Sequence, residues 1–106
     1  MTAKLKGNTM LKFYRGTCQR EAAELANDTQ TREVTHWTDS KEKAAMYSKG
    51  AIIEVTLDEQ SPGLQHYFGI AHGDATHGNI HEWKLPREYF QDVFSCYVEE
   101  VAIHNH

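Results

Sequence analysis

The run Ala51-Ile52-Ile53-Glu54-Val55-Thr56-Leu57 limits the fold more than any other stretch. Its β-branched and apolar residues read as a strand, with Ile53, Val55 and Leu57 on one face. Gly50 precedes it, and the region 58–63, punctuated by Ser61-Pro62-Gly63, reads as a turn. Such a strand must bury its apolar face against something else, so the rest of the chain has to supply partner strands and covering helices. Leu11-Lys12-Phe13-Tyr14 reads as a strand ended by Gly16, and Val34 to Thr38 mixes β-branched and aromatic residues in the same manner. Further strands are expected at Tyr67 to Ile70, Ile80 to Leu85 and Tyr97 to Ile103, the last with Tyr97, Val101 and Ile103 on one face.

Helices fall between them. Gln19 to Asn27 is in good helix-forming order. Asp39 followed by Glu42 is a capping-box-like start for a helix running to about Tyr47, with Gly50 as its stop. Pro86 can open a short helical turn through Phe90. The expected fold class is α+β, with two or three short helices on a twisted, mostly antiparallel sheet. The 106 residues fit one domain, with residues 1–9 as a polar lead-in.

A net charge of −4 argues against general nucleic-acid binding, which needs a basic face, and leaves docking on a basic partner surface open. No apolar run reaches membrane-spanning length, and residues 1–10 lack the apolar stretch of a signal peptide. Cys18 and Cys96 lack CxxC spacing and read as free thiols of a reducing compartment. Cys18 stands where a helix start would favour a thiolate, although a structural thiol is the simpler reading. His66, His72, His77 and His81 gather around Asp74 and Glu82, but their spacing matches no metal motif, so no metal ligand is assigned. His104 and His106, at the end of the chain, are expected to fray.

Two strand-end corners and a third segment carry the candidate chemistry. Tyr14-Arg15-Gly16-Thr17 offers a guanidinium and an unobstructed backbone, and Trp37-Thr38-Asp39-Ser40 offers hydroxyls. His81-Glu82-Trp83-Lys84-Leu85-Pro86 can add a carboxylate, with His81 facing away from Glu82. Taken alone, each has a plainer explanation: a turn, a helix cap and a solvated strand face. In this order, with Ala44, Ala45 and Tyr47 on the following helix, residues 11 to 86 resemble the core of ADP-ribosyltransferase-like domains of the small phage and bacterial type.

The resemblance implies NAD as substrate. It also implies a catalytic group of Glu82, Arg15 and Ser40, with Arg15, Gly16, Thr17, Thr38 and Tyr47 binding the dinucleotide. Cleavage of the nicotinamide–ribose bond builds positive charge on the ribose, and a carboxylate such as Glu82 stabilises it. The second motif is Thr-Asp-Ser where the family has a Ser-Thr-Ser type, and Ile80 stands where arginine-modifying members carry Glu or Gln, so arginine is not the favoured acceptor. Gln91 and Asp92 offer a second register for the carboxylate. The implied function is mono-ADP-ribosylation of a macromolecular target in a bacterial cytoplasm, phage-encoded proteins included. The alternative is a non-catalytic protein that binds and inhibits a host or defence protein, in an anti-CRISPR or anti-restriction role.

Overall fold

The computed structural model describes residues 10–29, 32–62, 68 and 81–106. They form a small α+β domain with five strands and three helices. The strands are β1 (Met10–Thr17), β2 (Val34–Thr38), β3 (Ala51–Asp58), β4 (Glu82–Pro86) and β5 (Val98–Asn105). The helices are α1 (Gln19–Ala26), α2 (Lys41–Met46) and α3 (Arg87–Cys96). The strand order is β4-β2-β1-β3-β5, and every neighbouring pair is antiparallel. The expected strand at Tyr67 to Ile70 lies outside the described residues apart from Phe68. The same is true of His66, His72, Asp74 and His77.

β3 is buried along its whole length, which explains its apolar run. Ala51, Ile53, Val55 and Leu57 join one core with Phe13 of β1, Ala22 and Leu25 of α1, Trp37 of β2, Leu85 of β4, and Phe90 and Val93 of α3. Trp37 stacks on Phe90 with ring centres 5.2 Å apart, and Phe13 stacks on Phe68 at 4.3 Å. Pairs of this kind add about 0.5–1.5 kcal/mol each beyond the area they bury. Glu99 is the extra residue of a bulge, since Thr56 pairs with Glu100 and Leu57 with Val98. The bulge leaves both Val98 and Val101 packed on the core, whereas Ile103 stays 43% exposed.

Four local readings are corrected by tertiary contacts. Gly16 does not end β1; it lies inside the strand, opposite Ile52 of β3. A side chain there would put Cβ 1.9 Å from the Ala44 carbonyl oxygen and 2.8 Å from the Ser48 nitrogen, so glycine lets α2 rest on the strand. Asp39 does not cap α2. Ser40 does, its Oγ accepting from Lys43 N at 3.1 Å, while Asp39 accepts from His81 N at 2.8 Å. The α2 C-cap is Tyr47, and Gly50, three residues on, takes φ 121° to turn the chain into β3. Pro86 ends β4 and caps α3, which continues past Phe90 to Cys96 because Phe90 and Val93 both reach the core.

The end of the chain is held rather than frayed. His106 N donates to Gly50 O at 3.0 Å, Gln19 Nε2 donates to Asn105 Oδ1 at 3.1 Å, and His104 Nε2 lies 2.9 Å from Glu54 Oε1.

Candidate functional site

β1 is zipped to β3 along its whole length, from Met10↔Asp58 to Thr17↔Ala51. Its other edge meets β2 at the single register pair Tyr14↔Thr38 among the described residues. Past that pair the two strands part, and a cavity of about 470 Å³ opens between them. Pockets of this size ordinarily take a small molecule or cofactor. Tyr14, Arg15, Gly16 and Thr17 of β1 face His36, Trp37 and Thr38 of β2 across it. Glu21 of α1, Arg32 and Lys49 line it, as do Ala44 and Tyr47 on the α2 side and Glu82 of β4.

Arg15 bridges the parting strands. Its Nη1 donates to the His36 carbonyl at 3.3 Å, which supplies that carbonyl with a partner where β1 no longer can. Its Nη2 donates to both oxygens of Glu21, at 3.2 and 3.0 Å. Glu21 also accepts from the Thr17 hydroxyl and pairs with Arg32 Nε at 2.8 Å. Arg15 Nε is the single buried side-chain nitrogen or oxygen without a hydrogen-bond partner among the described residues. Orphaned donors of this kind are rare in folded proteins, and each calls for a physical reason.

Glu82 reaches the cavity by register. Glu82 pairs with Thr38, Thr38 with Tyr14, Tyr14 with Glu54, and Glu54 with Ala102, so these residues form one row across all five strands. Asp39 secures the start of β4, since His81 N donates to its Oδ1 and His81 Nδ1 lies 2.8 Å from its Oδ2. The His81 ring stacks on Trp83, on the side of β4 away from Glu82. The Glu82 side chain is 52% exposed and lies 3.4 Å from Lys43 Nζ.

Six residues singled out in the sequence therefore meet in one cavity: Arg15, Gly16, Thr17, Thr38, Tyr47 and Glu82. Ser40 does not line it; its hydroxyl caps α2 and donates to Glu42 Oε1 at 3.4 Å. Gln91 and Asp92, on α3, do not line it either. The absence of a side chain at Gly16 serves the approach of α2, whatever else it admits. Glu21, Arg32 and Lys49 were not picked out in the sequence. For Glu21 one signal existed, an acidic residue in the first turn of the helix that follows the arginine corner. Cys18 caps that helix, its Sγ accepting from Glu21 N at 3.4 Å, which gives this thiol a structural role.

Two carboxyls of the site and its row are held below the usual 4.5. For Glu21, burial pushes the value up, but the Thr17 hydroxyl and the charges of Arg15 and Arg32 outweigh it. For Glu54, burial is likewise overcome by His104 and Lys12, whose Nζ lies 3.2 Å from Glu54 Oε2. A carboxyl depressed in the folded state binds fewer protons there than in the unfolded chain. Its stabilisation is complete above about pH 4.5 and is lost as the pH falls through the folded value. Urea midpoints measured from about pH 6 down to about pH 3 are expected to hold and then fall, and Glu54→Gln is expected to flatten the fall.

No helix among the described residues is long and apolar enough to cross a membrane. Comparison with protein-family models, curated proteins and solved structures finds no match to this chain.

Proposed function

We propose that the cavity binds NAD+ and that the protein is an ADP-ribosyltransferase-like enzyme acting on a macromolecular target. The observation that carries this reading is that Arg15 and Glu82 both line one cavity. When bound, NAD+ supplies a nicotinamide–ribose bond whose cleavage develops positive charge on the ribose.

The chain's own groups suit such a substrate. Arg32 and Lys49 offer cationic donors to phosphate oxygens, and among the described residues Lys49 has no ion-pair partner. The Arg15 guanidinium adds positive charge to the cavity lining, which suits a phosphate-bearing ligand. Tyr47, 56% exposed, presents an aromatic face at the rim. Glu82 contributes a carboxylate that stabilises positive charge beside it or accepts a proton from an incoming nucleophile. Glu21, already saturated by three partners, holds Arg15 in place instead.

Nicotinamide release on incubation with NAD+ tests the reading. The wild type is expected to release it, and Glu82→Gln to slow release by about a hundredfold, the loss typical when one electrostatic stabiliser is removed. Equal release by both proteins, or none from either, would overturn it. A second reading, a non-catalytic protein docking on a macromolecular target, draws support from Met46, 74% exposed and adjacent to Tyr47 at the cavity rim. Binding of a target without nicotinamide release would favour it.

A further inference from the structure

Among the described residues, two carboxylates line the cavity, and they differ in how fully they are engaged. Glu21 is 7% exposed and meets Thr17, Arg15 and Arg32. Glu82 has one ion-pair partner among the described residues, Lys43 Nζ at 3.4 Å. That distance is longer than a tight charge-assisted hydrogen bond, and both side chains meet water, at 31% and 52% exposure. Lys43 belongs to α2, whose next residue, Ala44, and whose C-cap, Tyr47, line the cavity. Its backbone is fixed by the Ser40 cap, but four rotatable bonds let its ammonium leave Glu82 without disturbing the helix.

We propose that Lys43 is a displaceable counter-ion of Glu82 that sets how strongly the cavity distinguishes a ligand bearing positive charge at that end from an uncharged one. The inference rests on the dinucleotide reading above and assigns a specificity-determining role to a residue outside the cavity lining. A cationic ring placed beside Glu82 competes with the ammonium for one carboxylate. A neutral ring does not compete, and the ion pair stays closed. The wild type therefore discriminates between oxidised and reduced dinucleotide less than its carboxylate alone would. Among the described residues, the arginines and lysine of the lining, Arg15, Arg32 and Lys49, would face phosphates that both redox forms share.

Lys43→Met removes the charge while keeping the length of the stem and a good helix former. The experiment measures dissociation constants by titration calorimetry for two ligands, NADH and a carbocyclic NAD+ analogue that keeps the pyridinium charge but cannot be cleaved. Four proteins are compared: wild type, Lys43→Met, Glu82→Gln and the double variant. In Lys43→Met the preference for the cationic analogue over NADH is expected to rise about threefold to fivefold, the scale of an exposed ion pair. On the Glu82→Gln background the same substitution is expected to leave the preference unchanged. An unchanged preference in Lys43→Met, or a rise that persists without the Glu82 charge, would overturn the inference while leaving the dinucleotide reading standing. Absence of binding to all four proteins would overturn that reading and this inference with it.

Discussion

Gly16→Ala is expected to destabilise the protein by about 3 kcal/mol or more, a large effect for one added methyl group. The sign is decided by tertiary contact. At a position that an L-residue can adopt without strain, Gly→Ala ordinarily stabilises by about 0.4–1 kcal/mol through the unfolded chain. At Gly16 the added Cβ would fall 1.9 Å from the Ala44 carbonyl oxygen, and that obstacle is helix backbone rather than a pliable side chain. Neither partner can retreat cheaply. β1 is fixed by eight register pairs to β3, and the end of α2 is tied back to it by Lys49 N donating to Thr17 O at 2.9 Å. Urea denaturation of the two proteins measures the difference. A variant as stable as the wild type would mean that α2 does not rest on the strand at this point. Because Ala44 and Tyr47 line the cavity, loss of the proposed NAD+ binding is expected to accompany the lost stability.

The second large effect is expected at Glu21. Glu21→Ala leaves the Arg15 guanidinium, 13% exposed, without its carboxylate, in a place where its Nε is already unpartnered. Breaking a buried pair from one side typically costs about 3–5 kcal/mol, because an uncompensated charge remains. Removing both charges is a different matter, since a buried ion pair is often matched by apolar residues of similar volume. Arg15→Met combined with Glu21→Leu is therefore expected to recover most of the stability lost by Glu21→Ala. The cycle of Arg15→Met, Glu21→Leu and their combination, measured in urea, provides the coupling directly. On the proposed reading, the double variant is expected to fold and yet fail to bind NAD+, which would separate the role of Arg15 in the fold from its proposed role at the site. Equal losses for the single and double variants would show that packing around the pair, not the buried charge, sets its energetic role.

Much of the sheet is legible in the residues because the signal is local. Val34 to Thr38 mixes β-branched and aromatic residues, and the strand covers those five residues, with Thr35, Trp37 and Thr38 buried. β3 declares itself by β-branched residues, and the structure extends it by one residue, Asp58. Capping of α2 is less legible. Asp39 and Ser40 are both good caps standing side by side, and His81, 42 residues away, decides between them by engaging Asp39. The extent of α3 escapes a local reading for the same kind of reason. Pro86 marks its start plainly, but its continuation to Cys96 depends on Phe90 reaching Trp37 and on Val93 reaching the core. Gly16 looks like a strand end because glycine usually punctuates, and the helix that needs it lies 28 residues further on.

By itself, the sequence determined that this chain forms one α+β domain around an apolar strand, and that an arginine, a hydroxyl and a carboxylate stand at or beside strand ends. Those properties follow from side-chain period, turn residues and composition, which act over a few residues. The tertiary structure decided where β1 and β2 part, and hence that a cavity exists at all. It brought Glu82 into line with Thr38 and Tyr14, committed Glu21 and Arg32 to Arg15, turned Ser40 into a cap and set Lys43 against Glu82. Each of these depends on which strand edges pair and how far, and on how a six-residue helix rests on a glycine. Strand pairing and helix docking are long-range choices, and their energies appear only when the chain has closed on itself.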